Sequence, residues 1–251
     1  MRKNFKITDK FQNAVEKAFF KGKTTKWSRQ ISFGILNLFI MLVLFFIILN
    51  RIVYDWTGTL YAEGTGFRLD FLGDNYIPFV PEMAIFYVYL FFSMVIVSML
   101  FFGLVTPEKG YALGWSLVII NLIAVIIYIF FPVSTFWWRQ ELLADPQVGN
   151  FWADTMYEYF ETDVSFNCLP SLHAAVSFIV FYAWYRYYKV KPDIKTKIIT
   201  ITTFIIAFGV VLSTLFVKQH YIVDEIAGVA LALIVGKYMY DYLWKNLERT
   251  N

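Results

Sequence analysis

The sequence predicts an all-α polytopic membrane protein, a helical bundle of six transmembrane helices with both termini cytoplasmic. Three observations carry that expectation. Of 251 residues, 59% are hydrophobic and only 16% charged, where an ordinary soluble domain carries about 25% charged residues. The apolar residues fall in blocks, and six blocks approach the roughly 20 residues a helix needs to cross a hydrocarbon core: 31–50, 83–105, 112–132, 171–188, 198–217 and 222–243. Lys and Arg also divide unevenly between alternate loops, as the positive-inside rule requires.

Taken in order, the segment 1–30 is basic, with Arg2, Lys3, Lys6, Lys10, Lys17, Lys21, Lys23, Lys26 and Arg29 against Asp9 and Glu16. It is placed in the cytoplasm. Its polar lead is too long for a cleavable signal, so the block at 31–50 is read as an anchor. Phe11, Val15, Phe19 and Phe20 recur at near-helical spacing, which suits either an anionic lipid surface or a solvated tail that only sets topology. Lys109, then Arg186, Lys189, Lys191, Lys195 and Lys197, then Lys245 and Arg249 fall on the same side. Arg51, Arg68, Arg139 and Lys218 fall on the other. The fourth block is the shortest and ends in an aromatic belt of Trp184, Tyr185, Tyr187 and Tyr188; Tyr238, Tyr240, Tyr242 and Trp244 close the sixth.

Two outer loops, 51–82 and 133–170, hold most of the acidic residues. Gly64, Gly66, Gly73 and Pro78 make the first irregular, and Phe151, Met156, Tyr159 and Phe160 are expected on one face of a short helix in the second. The organisation is one membrane domain over 31–243, preceded by the segment 1–30 and followed by the tail 244–251. Asn37 and Asn121 are expected to hydrogen-bond between helices, and Lys237 to pair with Asp241 four residues on. A single Cys excludes a disulfide scaffold. A net charge of +3 gives no reason to expect a nucleic-acid partner; membrane lipids are the expected partners.

Ionisable groups beside membrane spans are costly and mark candidate sites. The chain has two His, His173 and His220, both at the outer ends of expected helices. The first lies in Asn167-Cys168-Leu169-Pro170-Ser171-Leu172-His173, where Pro170 suits a first helical turn. The N–H groups of Ser171, Leu172 and His173 then form an anion site at the helix N-terminus. The second lies in Ser213-Thr214-Leu215-Phe216-Val217-Lys218-Gln219-His220-Tyr221-Ile222-Val223-Asp224. If the sixth helix starts near 219, Asp224 shares a face with His220 and orients its imidazole. Lys218 adds a cation, Glu225 points away, and Cys168 reads as a packing residue. No cluster shows metal-ligand spacing, and no metal or cofactor is expected.

These motifs resemble the type-2 phosphatidic acid phosphatase superfamily, membrane relatives of the vanadium haloperoxidases. Pro170-Ser171-Leu172-His173 matches that family's Pro-Ser-Gly-His. Ser213, Thr214, His220 and Asp224 keep the spacing of its Ser-Arg-x5-His-x3-Asp. The recognisable core is 132–232. The first motif, Lys-x6-Arg-Pro, survives only in Arg139, with Pro132 in the Lys position and Gln140 in the Pro position. Leu172 in place of Gly resembles the branch that includes inositol phosphorylceramide synthases. The resemblance implies a metal-independent lipid phosphate phosphatase facing the extracytoplasmic side of the cell membrane and inhibited by vanadate. It implies His220 as nucleophile, His173 as acid and Asp224 as its orienting partner, with Arg139, Lys218, Ser171 and Ser213 holding phosphate. Lys218 is expected to replace the charge of the family Arg, absent at Thr214. Phosphotransfer to a lipid or sugar hydroxyl is the alternative. A transporter fits less well, since the polar residues gather at one interface and no paired halves are visible.

Overall fold

The computed structural model describes residues 59, 61 and 64–248. The basic segment, the block at 31–50, Asn37 and the last residues of the tail lie outside the described residues. Short helical turns at Asp74–Tyr76 and Pro81–Met83 and a π-helical stretch at Ile85–Leu90 lead into α1, Phe91–Val105. There follow α2 (Pro107–Phe130), α3 (Phe136–Ala144), α4 (Phe151–Thr162), α5 (Leu172–Val190), α6 (Ile194–Phe216) and α7 (Ile222–Val235). A π-turn at Gly236–Tyr240 joins α7 to α8, Asp241–Glu248. The described residues contain no strand; isolated bridges tie Phe67 to Val133 and Val133 to Asn167.

α5 is the hub and packs against α1, α2, α6 and α7. It buries Ala174, Ala175, Val176, Ile179, Val180, Ala183, Trp184 and Tyr187, which is why its sequence is apolar or small nearly all round. The peripheral helices turn apolar side chains outward instead. Val97 on α1 and Ile205 on α6 are 61% and 58% exposed, with Ile198, Ile201, Phe208, Leu122 and Ile126 also uncovered. Water would disfavour so large an apolar belt; hydrocarbon does not. Among the described residues, three helices are long and apolar enough to cross a membrane: Pro81–Val105, Glu108–Phe130 and Ile194–Phe216. α5 and α7 stand within the same bundle, the first carrying Arg186 and Lys189, the second interrupted by its π-turn.

Helix ends follow local chemistry. Pro107 opens α2, where its missing N–H costs nothing. Asp193 caps α6, accepting from Thr196 N at 2.9 Å while the Thr196 hydroxyl accepts from Asp193 N at 3.2 Å, a capping box. α4 buries Met156 and Phe160 as expected, but leaves Phe151 exposed. The expected Lys237–Asp241 pair does not form. The π-turn between them breaks the i,i+4 spacing, and Asp241 instead accepts from Arg186 at 2.7 Å and from the Tyr182 hydroxyl at 3.1 Å. Asn121 also departs from expectation: it donates to Leu117 O of its own helix at 2.9 Å, not across helices.

Candidate active site

Two helix N-termini build the site. Ser171 caps α5, its hydroxyl accepting from Ala174 N at 3.2 Å. Its own N–H donates to Asp224 O of α7 at 3.0 Å, so the two helix starts are bonded to each other. Gly228, one turn into α7, lets them touch: a Cβ there would collide with Ser171 O and lie 2.9 Å from Ala174 Cβ. Pro170 precedes the cap, and Leu172 and His173 occupy the first turn, where helix N–H groups have no acceptor within the helix.

α6 ends in a left-handed residue, Lys218, at φ 59. This lets Gln219 N donate to Thr214 O at 2.9 Å and closes the helix. The chain then runs through His220 and Tyr221 into α7. Asp224 reaches back to accept from Tyr221 N at 2.8 Å. Its Oδ2 lies 3.6 Å from His220 Nδ1, a close contact just beyond a hydrogen bond. α7 starts at Ile222, not near 219, so the two are joined by a turn and not by a shared helix face.

A residue distant in sequence pins this turn from both sides. Asp74, fully buried, accepts from Ile222 N through Oδ1 at 2.7 Å, capping α7 from outside. Its carbonyl accepts from Lys218 Nζ at 3.1 Å. His220 lies between these two attachments.

The outcome is that the rings of His173 and His220 stand 5.8 Å apart at 64°. Tyr87 and Phe91 pack against His173 at 4.4 and 4.8 Å. Both imidazoles line a cavity of about 150 Å³ with Asn121, Tyr128, Asp163, Asn167 and Gln219. His220 is buried, which opposes its charged form, but Asp224, Glu225 and Asp163 outweigh burial and raise its pKa.

Three expected phosphate ligands are placed elsewhere. Lys218 turns its ammonium over the Trp138 ring, 4.5 Å from the centroid, into a separate cavity with Glu141 and Asp145; the left-handed backbone directs it there. Ser213 donates its hydroxyl to Val210 O within α6 at 2.7 Å. Arg139 on α3 donates to Asp163 O at 2.7 Å, Asp163 Oδ2 at 3.1 Å and Gln219 Oε1 at 2.7 Å. It stands behind two residues that face the cavity. Because Arg139 occupies Gln219 Oε1, the Gln219 amide nitrogen is the end left over, buried and without a partner among the described residues. The N–H expected at Ser171 is taken by Asp224.

Sequence reasoning missed Asp163, Asn167 and Gln219, and set Glu225 aside. Glu225 is buried beside the residue in the family Arg position, whose hydroxyl is shared between Val211 O at 2.7 Å and Glu225 Oε1 at 2.8 Å. Cys168, His220 and Asp224 also bring potential ligand atoms within 4.8 Å of one another. Burial pushes the Cys168 thiol pKa well up, which opposes the thiolate a metal would need. The thiol contacts Ser165 O at 3.4 Å and Gln219 O at 3.6 Å, a packing role.

Fold and site together define a helical membrane protein with a cavity lined by paired histidines at one end of its bundle. The chain matches the PAP2 superfamily over residues 75–237 and belongs to it. That superfamily comprises phosphatase-like lipid phosphoesterases and phosphotransferases. Comparison with curated proteins and with solved structures finds no match.

Proposed function

We propose that the protein is an integral-membrane phosphatase that hydrolyses a phosphomonoester or diphosphate lipid through a phosphohistidine. One observation carries this reading: two imidazoles 5.8 Å apart that line one cavity. His220 Nε2 attacks phosphorus in line as the bond to the lipid oxygen breaks. Asp224, beside Nδ1, steadies the ring and the positive charge it acquires. His173 gives its proton to the departing alcohol oxygen. In the second step His173 takes a proton from water, whose oxygen attacks phosphorus, and phosphate leaves His220. The unpartnered Gln219 amide and the first-turn N–H groups of α5 suit the non-bridging oxygens, and donors preorganised in this way dominate many rate enhancements. Arg139 acts through Gln219 and Asp163. No step calls for a metal.

The Lys and Arg distribution supports a six-span bundle with cytoplasmic termini and with this cavity on the extracytoplasmic side of the cell membrane. Purified protein given a lipid phosphate and no added alcohol is expected to release free phosphate. His220→Ala should lower turnover by about 10⁴-fold or more while the protein stays folded, and should abolish acid-labile phosphoprotein. Retained turnover in that variant would reject His220 as nucleophile.

Transfer to an alcohol is the second reading, and Leu172 favours it. This apolar side chain lines the cavity next to His173, where hydrolysis needs water. Phosphate release only after an acceptor alcohol is added would select transfer.

A further inference from the structure

The deep end of the histidine cavity contains a polar group that the proposed chemistry does not use. Asn121 lies in α2, seven residues before Tyr128, a displacement of about 10 Å along the helix. Tyr128 donates to Pro170 O at 2.7 Å, at the start of α5. Asn121 therefore sits inward of that bond, where Phe91, Phe92, Leu172 and Val176 make the wall apolar. It is 3% exposed, and it lines the same cavity as His173 and His220.

Its orientation is fixed by chemistry. The atom facing Leu117 O at 2.9 Å must be the amide nitrogen, since two carbonyl oxygens would repel. Oδ1 is the other end, and it takes no hydrogen bond from the described residues. Because Asn121 lines the cavity, this oxygen is open to a donor on a molecule bound there.

We infer that Asn121 is a substrate-specificity residue. Its Oδ1 accepts a hydrogen bond from a hydroxyl or amide N–H on the lipid's carbon backbone, just beyond the phosphoester held at the histidines. The preferred substrate class is thus a lipid phosphate carrying such a donor, in preference to one whose neighbouring oxygens are all esterified. This rests on the lipid phosphate reading of the site.

The test pairs a change in the protein with a change in the substrate. Full-length protein in detergent is assayed with 1-acylglycerol 3-phosphate and with its 2-deoxy analogue, which lacks only the hydroxyl. Wild type is expected to lose about tenfold in kcat/KM with the deoxy compound. Asn121→Leu should treat the two alike, because the acceptor is gone while the volume is kept, and its acid-limb pH profile should match wild type. Equal rates for both compounds in wild type would overturn the inference and leave the phosphatase reading intact. Undiminished discrimination in Asn121→Leu would overturn it too. If that variant fails to fold, the wild-type comparison alone decides. Failure of wild type to act on either lipid would instead remove the reading of the site, and this inference with it.

Discussion

Two cavities lie on either side of the turn between α6 and α7, and residues two apart in that turn face different ones. His220 lines the cavity of about 150 Å³ with His173, Gln219 and Asp163. Lys218 lines one of about 470 Å³ with Asn75, Trp138, Glu141 and Asp145. The left-handed backbone at Lys218 separates them, and Asp74 holds both flanks of the turn. The comparison teaches that nearness in sequence to the proposed nucleophile does not place a charge in its cavity. In the smaller cavity, unused hydrogen-bonding capacity remains on Gln219 and on His220 Nδ1, and on the oxygen of Asn121. In the larger one, the charges of Lys218, Glu141 and Asp145 share the walls.

The largest effect expected from disturbing this contrast is at Asp224. Asp224→Asn keeps the volume and removes the carboxylate beside His220, and turnover should fall by roughly 10²–10⁴-fold. A pH profile adds a direction. As the proposed nucleophile, His220 needs Nε2 unprotonated, and its neighbours hold its pKa above the ordinary 6.5. The wild-type rate should therefore climb with pH along an acid limb centred above that value. Removing one neighbouring carboxylate favours the neutral ring, so the limb should move to lower pH in Asp224→Asn. A limb that stays in place would separate Asp224 from the ionisation of His220.

A middling effect is expected at Asp74, which lines neither cavity yet fixes the turn between them. Asp74→Ala removes a cap from α7 and should cost about 0.5–2 kcal/mol of stability, read from thermal unfolding. Turnover should fall several-fold with little change in KM, because His220 loses its register against His173 while the cavity walls remain. Asp74→Asn, which can still accept from Ile222 N, should recover most of both. A loss of stability with turnover unchanged would make Asp74 structural alone.

The sequence made the helices legible because burial and lipid exposure both write themselves as apolar runs, and it made His173, His220 and Asp224 legible because rare polar groups at helix starts stand out against them. It did not reveal where long side chains would go. Arg139 looked like a phosphate ligand because it is the loop's cation in the right place, but Asp163 and Gln219 satisfy its guanidinium, and neither partner is visible from spacing. Lys218 looked like a replacement for the missing family Arg because the positive φ that turns it away is a tertiary feature. Glu225 was set aside on helical geometry from a start at 219; with α7 beginning at Ile222 it is buried and bonded to Thr214. Asn121 was noticed as a polar residue in a span, but its partner choice within its own helix, which leaves Oδ1 facing the cavity, needed coordinates.

The smallest effect is expected at Lys218, and it bears most directly on the comparison. Burial lowers the Lys218 pKa, and the nearby Asp74 and Glu141 only partly oppose this. Lys218→Met keeps the stem over Trp138 and removes the ammonium and its bond to Asp74 O. The loss of that bond should cost about 0.5–1.5 kcal/mol, while KM for a lipid phosphate should stay within about threefold of wild type, a change worth under 1 kcal/mol. Lys218→Gly relaxes the left-handed backbone, which favours glycine by about 1 kcal/mol or more, and should leave turnover equally unaffected. A tenfold rise in KM for the Met variant, with normal stability, would put the ammonium on the phosphate and make the two cavities one functional site.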